Sequence, residues 1–187
     1  AGAGVQWLRD RMKFFKKASE TEKLVKSLKD NNNIYLVPAF TGLGAPHWDA
    51  NARGVLTGIT RDTNPREIVR ATIEAVAYQT YDLFEAMKHD GLRPKIVKVD
   101  GGMVMNNWFS QFLSDIVNVK VLRPNVQETT AAGAAFMAGL QIGVYKSLKD
   151  ISKIWHLDKK FFPSMSNKSR NQLLKGWSSA IKKTLTN

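Results

Sequence analysis

The 187 residues carry 28 Lys and Arg against 16 Asp and Glu, a net charge of +12, and are 43% hydrophobic and 24% charged. That is a globular composition, long enough to bury a core in one or two domains, and no run approaches the ~18 apolar residues of a membrane span. With no cysteine the chain has no disulfide scaffold or thiolate metal site, and with no basic n-region in Ala1 to Val5 no secretory leader is expected, so the cytoplasm is the expected compartment.

Val5, Leu8, Met12 and Phe15 recur at helical spacing and predict a helix over 1–17. A short helix follows over 21–28 and is broken by Asn31-Asn32-Asn33. Ile34 to Phe40 reads as a buried strand, and it runs into "FTGLGAPHWDANARG" at 40–54. Surface loops are usually rich in Asp, Ser and Asn, but this one holds glycines and aromatics and has no acidic residue before Asp49. Such a composition lets backbone come close to something. Phe40 and Trp48 are open to two readings, packing or ligand contact. A second strand is expected over 54–60.

At Asn64 the helix-start signals converge. Asn64 suits an N-cap, Pro65 the first helical position and Glu67 the third, as in a capping box. Glu67, Arg70, Glu74, Glu85 and Lys88 are expected to form one polar stripe. Ile68, Ala71, Ala75, Val76, Leu83 and Met87 fill the rest, so the helix should be covered on most sides until Asp90-Gly91 ends it. Lys95 to Asp100 reads as a strand, Gly101-Gly102 as a turn, and the stretch around Trp108 to Val117 as a helix. Val119 to Leu122 is a further strand closed by Pro124, and Thr129 or Thr130 caps a helix to about Val144. Its small residues, Ala131 to Ala135, suit close helix–sheet packing and read as core. One more amphipathic helix is expected over 173–185. Strands and helices in this alternation favour an α/β fold with helices against a sheet.

The positive charge suits an anionic partner or a solvated lysine coat. The lysines concentrate in two peripheral segments, Lys13 to Lys29 and Lys146 to Lys183, without the aromatic–basic interleaving of a single-strand groove. The coat is the preferred reading, with neither nucleic acid nor membrane as partner. His47, His89 and His156 lack metal-ligand spacing, and Asp49, Asp62 and Asp100 read as turn or strand-end residues.

The stretch "VDGGMVMNN", 99–107, is the bottom-up candidate site. A strand enters a Gly-Gly turn where a flat ligand could lie on bare backbone, and the free amides of the next helix could face an anion or a base edge. Asn106 carries the donor and acceptor that a purine edge requires. The alternative is a plain left-handed turn with Asn106 as the helix N-cap.

Five stretches carry a resemblance: "AGAGVQWLRD" at 1–10, "VPAFTGLGAPHWDANARG" at 37–54, "IVRATIEAVAYQT" at 68–80, "VDGGMVMNN" at 99–107 and "ETTAAGAAFMAGL" at 128–140. Together with Gly54 to Ile59, Glu67-Ile68 and Ala71 to Glu74 at the family's spacing, they resemble the C-terminal domain of the FGGY carbohydrate kinases, and "FTGLGAP" is similar to their glycerol kinase branch. The likeness covers residues 1–145, and 146–187 is a less specific helical tail. His47 stands where the family often has another aromatic, and the loop near Gly91 is one residue shorter.

The resemblance implies a ribonuclease H-like, actin-like ATPase fold, with residues 1–187 forming one nucleotide-binding domain that lacks its first strands. It implies ATP-dependent phosphorylation of glycerol to glycerol 3-phosphate in the full-length enzyme, with ATP and Mg²⁺ as cofactors and homodimers or larger homo-oligomers as assemblies. The nucleotide contacts it carries over are Gly2, Gln6, Gly102 and Asn106. Gly2 and Gln6 lie one helical turn apart and can face one ligand. It also implies that the catalytic aspartate, in a Gly-Asp-Gln setting, and the polyol-binding residues lie in the other half. No Gly-Asp-Gln occurs here, so this chain alone is expected to be inactive. The alternatives are a xylulose or gluconate kinase of the same group, or an isolated ATP-binding module.

Overall fold

The computed structural model describes residues 2–126 and 129–186. Helix α1 (Ala3–Asp10) opens the chain, and α2 (Thr21–Lys26) follows a 3-10 turn. The first helix is shorter than its apolar spacing suggests. Lys13 adopts a left-handed backbone, φ 60°, and the chain turns so that Phe15 is buried from an irregular segment. Burying that ring outweighs continuing a polar helix into solvent.

Strands β1 (Tyr35–Val37) and β2 (Val55–Thr57) pair antiparallel, with Leu36 opposite Leu56. The loop between them folds back on itself. Leu43 N–H donates to the Asp49 carbonyl at 2.7 Å. Gly42 sits at φ 98°, and a Cβ there would stand 2.8 Å from Ala50 backbone. The glycine thus permits chain to pass against chain. Phe40 packs on Trp7, with ring centroids 5.4 Å apart, whereas Trp48 is 77% exposed. His47 Nε2 lies 3.3 Å from Asp82 Oδ2, which also accepts from Trp177 Nε1 at 2.8 Å. Burial pushes the Asp82 carboxyl up, and these two partners oppose it. The Asp49 carboxylate accepts from the Asn51 and Ala52 amides at 3.0 Å and from the Thr186 amide at 2.7 Å, tying the end of the described chain to the loop.

Helix α3 (Pro65–His89) begins as its sequence predicts. The Asn64 side chain accepts from Arg66 N–H, and Glu67 reaches back to the Asn64 amide at 2.6 Å. α3 packs against α1, α2 and β1, and against α4 (Asn107–Val117). The polar stripe is mostly enclosed: Glu67, Arg70 and Glu74 are buried, Glu85 is half-buried and Lys88 is exposed. Arg70 Nε donates to Glu74 Oε1 at 2.7 Å, while Tyr78 Oη and Asn31 Nδ2 donate to Glu74 Oε2 at 2.9 and 3.3 Å. Arg70 also donates to the Leu28 carbonyl at 2.8 Å and lies 5.0 Å above the Trp108 ring. Burial pushes the Glu74 carboxyl up against the pull of Arg70, Tyr78 and Asn31. Next to this cluster Tyr78 stacks on Trp177, centroids 5.2 Å apart, and meets Phe112 edge-on.

The second sheet follows α3. Strand β3 (Ile96–Lys98) pairs parallel with β4 (Lys120–Pro124) across α4, and β5 (Leu157–Phe161) adds antiparallel to β4, giving the order β3-β4-β5. β5 has a weak signature because only Phe161 is buried. Helix α5 (Thr129–Gln141) holds Thr129 and Thr130, the expected caps, in its own first turn, and the residues before it, 127 and 128, lie outside the described set. Its run Ala131 to Ala135 does not form core as expected. Of α5 only Gly139 is buried, against the Tyr145 ring, because neither sheet covers its small face. α6 (Leu148–Ile154) and α7 (Asn167–Thr184) complete the chain, and α7 packs on β1 and β2.

Glu74→Ala strips Arg70 of its buried counter-ion and should cost about 3–5 kcal/mol in denaturant unfolding, whereas Arg70→Met with Glu74→Leu should cost much less. A loss under about 1 kcal/mol for the single change would mean the cluster does not hold α3. The Thr186 amide, with the loop amides, holds the Asp49 carboxyl below the ordinary carboxylate range. Its stabilisation is therefore present above the unfolded pKa of about 4 and is lost as pH falls through the lower folded value. Denaturant titrations of wild type should show that acid loss, and Asp49→Asn should flatten it.

Candidate nucleotide cleft

Four groups of residues meet at one hollow of about 420 Å³. Gly2, the N-cap of α1, and Gln6 form one wall; Gly102 and Asn106 form another; Thr21 and Glu22 close the third side. Ile73 of α3 contributes apolar lining, as do Val5, Met103 and Met105. The structure thus brings the two sequence-predicted pairs, Gly2 with Gln6 and Gly102 with Asn106, together although the pairs are distant in sequence.

The Gly-Gly corner owes its shape to what lies beneath it. Gly101 turns the chain at φ 83°, a conformation that disfavours a Cβ, and residues Gly102–Met105 wind into a 3-10 turn. The Val104 carbonyl of that turn accepts from Arg123 Nη1 at 2.8 Å and from Ser110 Oγ at 2.9 Å. Arg123 is buried on β4 and is held by Asp158 at 2.7 Å.

Gly2 and Gly102 differ from Gly101. Neither has a positive φ, and a Cβ built on either meets nothing within 4 Å. Among the described residues nothing packs where a methyl group at either position would stand.

Asn106 realises the alternative that its sequence left open. It is the N-cap of α4, its Oδ1 accepting from Phe109 N–H at 2.9 Å. Its Nδ2 donates to Thr21 Oγ1 at 3.4 Å, and Thr21 in turn donates to the Ala18 carbonyl at 2.7 Å. Asn106 therefore links two walls of the cleft. Gln6, by contrast, makes no side-chain hydrogen bond to a described residue and is exposed toward the hollow. Arg9 at the rim is held by its neighbour Asp10 at 2.7 and 2.9 Å.

Sequence reasoning missed Thr21, Glu22 and Arg123. The first two sit in a lysine-rich segment that reads as a solvated coat. The signal that could have found Arg123 is a lone cation inside the apolar strand "KVLRP".

The model of the FGGY family of carbohydrate kinases, C-terminal domain, matches residues 1–142. Glycerol kinase 1 of Pseudomonas aeruginosa is 54% identical over 183 residues, covering 98% of this chain and 37% of the relative. A glycerol kinase of Coxiella burnetii is 50% identical over 186 residues, covering 100% and 37%. The crystal structure of Plasmodium falciparum glycerol kinase with ADP superposes with a TM-score of 0.86 at 34% identity, covering 100% of this chain and 37% of that one. The ligand-bound xylulose kinase of Lactobacillus acidophilus gives 0.78 at 25% identity, covering 98% and 37%. The chain thus spans little more than a third of the length of these proteins.

Asn106→Ala removes a helix cap and should lower unfolding free energy by about 1 kcal/mol, whereas Asn106→Asp keeps the cap oxygen and should stay near wild type. Equal losses in the two variants, read by urea denaturation, would show that the cap contributes nothing.

Proposed function

Because the chain belongs to the FGGY family of carbohydrate kinases, as its C-terminal domain, we propose that it is the nucleotide-binding lobe of a glycerol kinase, with residues 1–187 acting as one domain whose cleft takes the adenosine half of ATP. The observation that carries this reading is the floor of the cleft: Gly2 and Gly102 leave it bare where the fold itself does not demand glycine. A flat base can lie there against the apolar lining and hydrogen-bond to Gln6, whose carboxamide offers a donor and an acceptor.

Glycerol is the acceptor favoured by "FTGLGAP" and by the naming of the relatives, ahead of xylulose or gluconate. In such a kinase the γ-phosphoryl of ATP passes to a terminal hydroxyl, and catalysis rests on positioning and charge neutralisation. Mg²⁺ binds through oxygen ligands, several of them water or phosphate. The carboxylate of this cleft, Glu22, is already engaged by Lys26 and the Asn107 amide, a donor set that does not suit the ion. Mg²⁺ would be held by the nucleotide's phosphates and by groups outside this chain, as would the base that takes the hydroxyl proton.

Calorimetric titration of the chain with ATP tests the site. Gln6→Ala and Gly102→Ala should each weaken binding about five- to tenfold, the scale of one lost contact, with thermal midpoints unchanged because neither position is packed. Wild-type affinity in both variants, or no binding by the wild-type chain, would overturn the assignment.

A further inference from the structure

The loop over residues 40–54 is not held equally along its length. Its far side is tied down through Asp49, which accepts from the Thr186 amide and from two amides of the loop. Its tip, 44–48, is a turn closed on itself: the His47 and Trp48 amides both donate to the Gly44 carbonyl, at 3.0 and 2.9 Å. Among the described residues one hydrogen bond ties this tip to another element, that of His47 Nε2 with Asp82 Oδ2 of α3 at 3.3 Å. Behind it lies a hollow of about 220 Å³ that Gln79, Asp82, Leu83 and Ile181 line together with the tip.

The tip depends on that bond. Trp48 stands at φ 52°, a conformation that a bulky residue adopts at a cost and keeps only where its surroundings impose it. Its ring is exposed, so packing gives it no hold. Asp82 is a fixed anchor, because Oδ2 also accepts from buried Trp177 of α7 at 2.8 Å. The imidazole meets this carboxylate only with a proton on Nε2. A neutral ring does so as one tautomer; an imidazolium does so with a full charge, and charge-assisted bonds are roughly twice as strong as neutral ones. Histidine is the side chain that ordinarily changes charge between pH 5 and 8.

Few other charges face the pair. Burial, and behind it Glu85 of α3, push the Asp82 carboxyl up, and Glu85 is itself paired with Lys88. Burial, Glu85 and Asp82 push the Tyr81 hydroxyl up, which keeps it neutral, against the pull of Arg170 of α7. The α7 residues at the site, Trp177 and Ile181, carry no charge. On acidification Asp82 therefore takes its proton sooner than an ordinary carboxylate, so the bond has an acid limit as well as an alkaline one.

We propose that the His47–Asp82 pair is a pH-sensitive latch on the 40–54 loop: charged His47 holds the tip against α3, and loss of its proton lets the tip lift and opens the hollow behind it. The latch is independent of the nucleotide reading above.

Amide hydrogen exchange of the chain at pH 6 and pH 8, corrected for intrinsic rates, tests it. The tip amides of residues 47 and 48 should be about fivefold better protected at pH 6, the scale by which a charged hydrogen bond exceeds a neutral one, while those of α4 should not change. His47→Phe keeps a ring and loses the proton, and Asp82→Asn keeps an acceptor for Trp177; in both, tip protection should be low and equal at the two pH values. Equal tip protection at pH 6 and pH 8 in the wild-type chain overturns the inference, and that arm needs no variant to fold. An equal change in α4 marks a loosening of the whole fold and also overturns it, as does a pH effect at the tip that survives His47→Phe.

Discussion

A single buried carboxylate organises this structure. Glu74 is fully enclosed in α3, and an isolated charge in such a place is costly enough to forbid the fold. It is tolerated because Arg70, Tyr78 and Asn31 all donate to it. Each partner fixes something else in turn. Arg70 reaches the end of α2 through the Leu28 carbonyl and covers Trp108 of α4. Asn31 holds the turn that feeds β1, and Tyr78 centres the aromatic stack with Trp177 and Phe112. A buried pair adds little net stability over an apolar substitute, but it admits few geometries. In this chain it sets α2, α4 and the β1 entry around α3.

The cleft inherits that arrangement. Its walls belong to α1 and the start of α2, which rest on α3, and to the corner before α4, which rests on α4, itself packed on α3; Ile73 of the lining is the neighbour of Glu74. The α2 and α4 walls are joined directly by the Asn106–Thr21 and Asn107–Glu22 bonds. The Gly101–Met105 corner is fixed from the sheet side by Arg123. A site assembled from short segments is thus held by contacts outside it, which is how a binding constellation keeps its geometry.

Much of this was legible in the sequence where local chemistry decides the outcome. The Asn64-Pro65-Glu67 start of α3 needs only its own turn, and the capping box formed as its residues dictate. The Gly-Gly corner was equally visible, because paired glycines after a strand permit the positive-φ turn that other residues resist, and Gly101 takes it. Sequence periodicity failed where distant residues decide. Arg70 and Glu74 read only as part of a polar stripe until Asn31, Leu28 and Trp108 close over them, and those partners lie about forty residues away along the chain. Ala131 to Ala135 failed in the opposite sense: small residues permit close packing but do not supply the surface to pack against. Thr21 and Glu22 were hidden by their lysine-rich surroundings, since charge alone does not show which members of a polar segment face inward.

The net charge of +12 and the character of the cleft point in different directions, and the contrast is informative. Lysines line the periphery, yet the cleft itself holds one engaged carboxylate and an arginine already paired with Asp10. Attraction between the basic surface and phosphates is long-ranged and screened by salt, so it can draw a polyanion toward the protein without fixing its orientation. What the cleft offers at close range is bare backbone, apolar side chains and neutral hydrogen-bonding groups, which suit the uncharged end of a nucleotide. On the proposed reading, the phosphates then lie toward the part of the kinase that this chain does not contain. That division has a physical logic. Phosphoryl transfer needs its charge-neutralising groups at the reacting oxygens, and a lobe that holds the nucleoside without competing for the phosphates leaves their geometry to the site where the bond is broken.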